Sequence, residues 1–158
     1  MEKNIFPEGS VDAYRFTTME FERIYAVFAK SCGLTEPEFW SLFMMHNGIV
    51  TQSEISDILV LNRQTVNSAF KLLIKKGLVS LESPENNLRT KVASFTEKGK
   101  QFVARYIEPL CRMEQQEWES LEIEERQQLI NLTRKYCNRV QRAMEEHIAK
   151  IETVSSED

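Results

Sequence analysis

The chain is short of turn formers, with five glycines and four prolines in 158 residues. That scarcity points to a helix-rich chain. No run of 18 apolar residues occurs, so no transmembrane helix is expected. Met1-Glu2-Lys3-Asn4 is not the basic-then-apolar start of a secretory signal, so a cytoplasmic location is the expectation. The three cysteines, Cys32, Cys111 and Cys137, lie far apart without paired spacing. That spacing fits neither a zinc finger nor a disulfide framework, so reduced helix residues are expected. His46 and His147 are the only histidines and stand far apart, so no metal is expected, and His46 is read as an ordinary helix-end residue. No nucleophile–base pairing or phosphate loop is visible, and Thr96-Glu97-Lys98-Gly99 lacks the glycine pattern of one. The expectation is a protein that is not an enzyme and carries no cofactor.

Apolar residues make up 42% of the chain, enough for a real core in one domain with a helical extension. Val11 to Ser31 carries Phe16, Met19, Ile24, Val27 and Phe28 at helical spacing, and Gly33 stops the helix. Thr35-Glu36-Pro37-Glu38 is a capping box opening a helix to about Asn47-Gly48. Thr51-Gln52-Ser53-Glu54 is a second box, and Ile55, Ile58 and Leu59 form the inner face of the short helix behind it. Asn62 offers a third cap for a helix reaching Lys76 and ending at Gly77, with Val66, Ala69, Phe70 (or Leu73) and Leu72 inward. Leu78–Leu81 and Val92–Phe95 read as strands of a hairpin with a polar tip. Thr96 caps a helix to about Ser120, bent near Pro109. The last helix starts near Glu122 with the stripe Leu129, Leu132, Tyr136, Val140, Met144 and Ile148, ahead of a polar tail from Thr153 that is expected to fray.

Net charge is −4, which at first sight opposes nucleic-acid binding. Its distribution matters more. Residues 62–91 hold six basic and two acidic residues, a net +4, which leaves −8 on the rest. A local basic face on an acidic body can still attract phosphates. Two short helices joined by three residues give a helix-turn-helix, whose second helix suits the major groove. Small Ser56 allows the two helices to approach, and Val66 plugs the core. The outward face of the second helix carries Arg63, Gln64, Thr65, Asn67, Ser68 and Lys71, and no carboxylate occurs between Asp57 and Glu82. Arginine reads guanine bidentately, and Gln or Asn reads adenine. Thr51 and Gln52, at the start of the first helix, join this DNA-contacting set. The hairpin tip adds Asn87, Arg89 and Lys91, and an Arg there suits a narrow minor groove.

In this order and spacing, T-Q-S-E-I-S (51–56), N-R-Q-T-V-N (62–67), K-K-G-L-V (75–79), N-L-R (87–89) and S-F-T-E-K-G (94–99) resemble the MarR family of bacterial regulators. The likeness covers nearly the whole chain. It implies a mainly α fold with a small β-hairpin wing. In that fold a winged helix-turn-helix lobe (34–109, recognition helix 62–76, wing 82–91) is flanked by long dimerisation helices (11–33 with 110–152). It implies a homodimer binding double-stranded DNA at a pseudo-palindromic operator as a transcription regulator, expected to repress, with half-sites about 10 base pairs apart. Two departures stand out. Asn87 occupies the place of the family's usual Asp, which loosens the hold on Arg89. Ser80-Leu81-Glu82 lacks the usual basic residue, so one phosphate contact is missing.

The resemblance also implies a small aromatic effector, for which Tyr14, Arg15, Phe28, Trp40, Phe43, Met44 and Tyr106 are candidate lining residues. Aromatics at helical spacing are equally what a plain core requires, and that reading is preferred. The alternative function is a winged-helix protein-interaction module with weak or lost DNA binding, suggested by the acidic net charge and Glu82.

Overall fold

Capping chemistry sets the helix boundaries. The computed structural model describes residues 6–82 and 91–155, the side chains of 152–155 excepted. Helix α1 (Val11–Ser31) begins at Ser10, whose hydroxyl accepts from the Ala13 N–H at 3.1 Å. Helix α2 (Glu36–His46) has the expected box: the Glu38 carboxylate accepts from the Thr35 N–H at 2.8 Å, and Thr35 caps the Glu38 N–H. Helix α3 (Gln52–Ile58) has only half of its box. Thr51 caps the Glu54 N–H at 3.3 Å, but the Glu54 carboxylate accepts from the Thr51 hydroxyl instead of its backbone. The backbone there is turned to the hairpin, where Thr51 bridges Val92 and the Val50 carbonyl accepts from the Ala93 N–H at 2.8 Å.

Helix α4 (Arg63–Lys75) is capped by Asn62, whose side-chain oxygen accepts from the Thr65 N–H at 2.7 Å. It ends at Gly77, at φ +72°, where the Leu78 N–H closes back onto the Leu73 carbonyl at 3.0 Å. Strands β1 (Val79–Glu82) and β2 (Val92–Phe95) pair antiparallel, with Val79 opposite Phe95 and Glu82 opposite Val92. The first strand starts one residue later than the sequence suggested, because Leu78 is used in closing α4. Asn87 and Arg89 fall in 83–90, outside the described residues.

Helix α5 (Glu97–Phe102) runs into a π-helical turn, Val103–Ile107, then α6 (Glu108–Ser120) and α7 (Ile123–Ser155). A bend near Pro109 was expected, and a widened turn stands just ahead of it. The Glu108 N–H reaches five residues back to the Val103 carbonyl. Pro109 has no N–H, and in an α turn its ring would crowd the Arg105 carbonyl, so the wider turn relieves that clash. At the C-terminus, α7 stays helical to Ser155, past the Thr153 at which fraying was expected.

The chain forms two compact units that part between Leu110 and Cys111. In the first, α2 packs on α4, α4 on α3 and on β1, α1 on α2, and the π-helical turn on α2. Phe39, Leu42, Ile55, Val66, Phe70, Leu73 and Ile107 are fully buried at its centre. Two inward assignments fail: Ile58 is 52% exposed and Leu72 is 42% exposed.

The turn between α3 and α4 holds a conformational cost. The Leu61 N–H closes onto the Ser56 carbonyl at 3.1 Å, and the Ser56 hydroxyl donates back to the Leu61 carbonyl at 2.7 Å. This closure puts Val60 at φ +52°, where a β-branched residue is strained, and leaves it 89% exposed. Val60→Gly removes roughly 1–2 kcal/mol of strain and loosens the unfolded chain by somewhat less. The expected gain is about 0.5–1 kcal/mol, read as a melting temperature about 2 °C higher. A lower melting temperature would contradict the strain.

Candidate nucleic-acid interface

The candidate surface is one side of α4. Its other side is anchored by buried Val66, Ala69, Phe70 and Leu73, so register fixes what faces out. Arg63, Gln64, Asn67, Ser68 and Lys71 are exposed. Thr65 is half-buried, and its hydroxyl donates to the Asn62 side chain at 2.9 Å, so it serves the cap before any ligand. Neither Arg63 nor Lys71 has a carboxylate partner among the described residues. Gln64, Thr65 and Ser68 line a shallow groove shared with Thr35 and Pro37 at the start of α2. Thr51 and Gln52 are half-buried, and the Thr51–Val92 bridge sets them beside the base of the wing, next to exposed Lys91.

The C-terminal end of α4 is held by a polar clamp that the sequence did not reveal. The Lys76 ammonium donates to the fully buried Glu38 carboxylate at 2.6 Å and to the Gly33 carbonyl at 2.9 Å. Burial pushes the Glu38 carboxyl up, but the bonds from Lys76 and Thr35 outweigh it and hold it below the usual carboxylate value. The Lys98 ammonium donates to the Lys76 carbonyl at 2.7 Å, and the Thr96 hydroxyl donates to the Gly77 carbonyl at 2.6 Å. Gly99 completes the clamp. A Cβ there would lie 1.9 Å from the Leu78 carbonyl oxygen, so only glycine lets α5 start this close to the end of α4. The T-E-K-G element is thus a fastener for α4.

Most of the aromatic candidates pack against other rings. Trp40 stacks with Tyr25 at 5.1 Å and with Phe43 at 5.5 Å, and Phe28 meets Phe39 at 5.8 Å. Tyr106 stacks with Phe102 at 4.7 Å. Met44 is half-buried, and Tyr14 and Arg15 are exposed, with Arg15 paired to Asp12 at 3.0 Å. Burial pushes the Cys32 thiol up, against a weaker opposing pull from Ser31, which disfavours the reactive thiolate. No cluster of three metal-ligating side chains occurs among the described residues. Among them, no helix is long and apolar enough to cross a membrane.

Residues 33–89, the span holding α2 to α4 and the hairpin's first strand, match the MarR family model. Over that span the chain is similar to the MarR family. It is 28% identical over 129 residues to the transcriptional repressor MprA of Escherichia coli (strain K12), covering 80% of this chain and 73% of that protein. The fold is that of a MarR family regulator from Neisseria meningitidis, at a TM-score of 0.72 and 19% identity, covering 87% of this chain and 97% of that one. It is also that of a MarR family regulator from Listeria monocytogenes solved with a 26mer DNA, at a TM-score of 0.66 and 22% identity, covering 85% and 90%.

Proposed function

We propose that the protein is a homodimeric, sequence-specific transcription regulator, acting as a repressor on a pseudo-palindromic operator. The observation that carries this reading is the exposed face of α4, which offers Arg63, Gln64, Asn67, Ser68 and Lys71 without a carboxylate from residue 58 to 81. In that pattern Arg63, Gln64 and Asn67 read base edges, and Lys71 takes a phosphate. Thr51 and Gln52 meet the backbone beside the wing, to which Lys91 and the tip residues Asn87 and Arg89 belong. The DNA complex of the Listeria relative supports the same use of the lobe. The MprA relationship supports repression.

Dimerisation is supported by apolar side chains left bare on α1 and α7. Phe16, Met19, Phe21, Ile24 and Val27 are exposed on α1, and Leu129, Leu132, Met144 and Ile148 on α7. Exposed apolar surface of that extent marks an interface. In this reading 11–33 and 110–152 meet a second copy, while 34–109 meets DNA. Release by a small aromatic molecule remains the effector mode that the half-buried Phe28, Trp40, Phe43, Met44 and Tyr106 would serve, with Tyr14 and Arg15 at its edge.

Selection of bound duplexes from a random pool tests the reading. A recovered site with two half-sites about 10 base pairs apart is expected. Arg63→Ala should weaken that site by about 1–3 kcal/mol and relax the preference at one position. A pool that shows no enrichment would instead support the protein-interaction module.

A further inference from the structure

The most basic carboxylate-free stretch of the chain is not in the recognition helix. Residues 126–144 of α7 hold Arg126, Arg134, Lys135, Arg139 and Arg142 with no carboxylate, against four cations in 58–81. Asn131, Arg134, Lys135, Asn138, Arg139 and Arg142 line one shallow groove along the helix. At 100° per residue Asn131, Arg134, Lys135, Asn138 and Arg142 lie roughly opposite the apolar row Leu129, Tyr136, Val140 and Met144, with Arg139 at the flank of that row. A second copy covering that row would leave the basic face open. Arg134, Lys135, Arg139 and Arg142 are exposed, and none has a carboxylate partner among the described residues. Like charges at Lys135/Arg139 and Arg139/Arg142 repel at helical spacing, a cost that a bound polyanion would offset.

We infer that this face of α7 is a second, sequence-independent site for the phosphate backbone of duplex DNA. The stripe is about 16 Å long from Asn131 to Arg142, enough to meet several phosphates. Three of its four cations are arginines, whose planar forks bind phosphate bidentately, and the flanking asparagine amides donate to the same oxygens. Base readers are scarce, so the face grips DNA without choosing it. The inference extends the DNA-binding reading to a surface outside the winged lobe. A molecule seated on its operator would then hold a second stretch of duplex.

The test measures binding of a short random-sequence duplex across a salt series, for the full chain and for Arg139→Gln/Arg142→Gln. The variant is expected to bind about tenfold more weakly at low salt. Its slope of log affinity against log salt should be shallower by about 2, at roughly 0.9 per lost phosphate contact. Its helix content and assembly mass should be unchanged. The same change is expected in an Arg63→Ala background. If the pool selection shows no sequence preference while this change persists, the proposed function fails and the α7 site stands. An unchanged slope in both backgrounds overturns the α7 site. So does an unchanged slope with altered assembly mass, which would assign the face to acidic residues of a second copy.

Discussion

Lys76→Met should destabilise the protein by about 2–3 kcal/mol at neutral pH, because it strands a carboxylate that is wholly buried. Losing one partner of a buried pair costs more in a closed interior, and Lys76, whose side chain is 36% exposed, moderates the effect. The sign of the pH dependence follows from Glu38. In the wild type its folded pKa lies below the unfolded one, so the pair contributes fully above the ordinary carboxylate range. That contribution is lost as the pH falls through the folded value. Without Lys76, desolvation is opposed only by the Thr35 bonds, so the folded value is expected to rise from its wild-type position. The deficit of the variant should then shrink as the pH drops from 7.5 toward 5. Glu38→Gln added to Lys76→Met should recover part of the loss at pH 7.5. Urea midpoints at the two pH values check both expectations. A deficit independent of pH would mean that Glu38 is not the charge left behind.

Gly99→Ala should be at least as severe. A methyl group placed 1.9 Å from the Leu78 carbonyl oxygen meets backbone, which cannot swing aside as a side chain would. Either α5 or the end of α4 must move, at roughly 3 kcal/mol. For a chain of this size that is a melting temperature lower by about 10 °C. Because Thr96 and Lys98 leave with α5, affinity for the selected operator should fall as well. A variant that melts like the wild type would show that the close approach is not maintained in solution.

How much of this was legible in the sequence depends on distance along the chain. Thr35, Asn62 and Thr96 announce helix starts, because each cap bonds an N–H three residues away. Gly33 and Gly77 mark stops for an equally local reason. The α4 face could be read because burial of Val66 and Phe70 fixes what points away. The Lys76–Glu38 bond was hidden, since it joins residues 38 apart and Glu38 already had a local role in its capping box. Ile58 and Leu72 misled because periodicity gives the direction of a stripe but not how widely a neighbour covers it. At Pro109 the sequence marks a disturbance, while whether the helix bends or widens is decided by packing at Val103 and Ile107. The α7 face was legible all along as a gap between carboxylates.

The clamp has a mechanical consequence. The polar bonds to α4 gather at its C-terminal end, at Lys76 and Gly77, while Arg63 and Gln64 stand at the other. The helix spans thirteen residues, about 20 Å, so its long-range polar fastening lies far from Arg63, where, among the described residues, only apolar packing and the α3–α4 turn hold it. A tilt of roughly 5° at that fastening displaces the Arg63 end by nearly 2 Å, more than a base-edge hydrogen bond tolerates. In the proposed function, a disturbance at Gly33 or Glu38, at the far end of α4 from Arg63, would therefore be enough to shift Arg63 and Gln64 off a base edge.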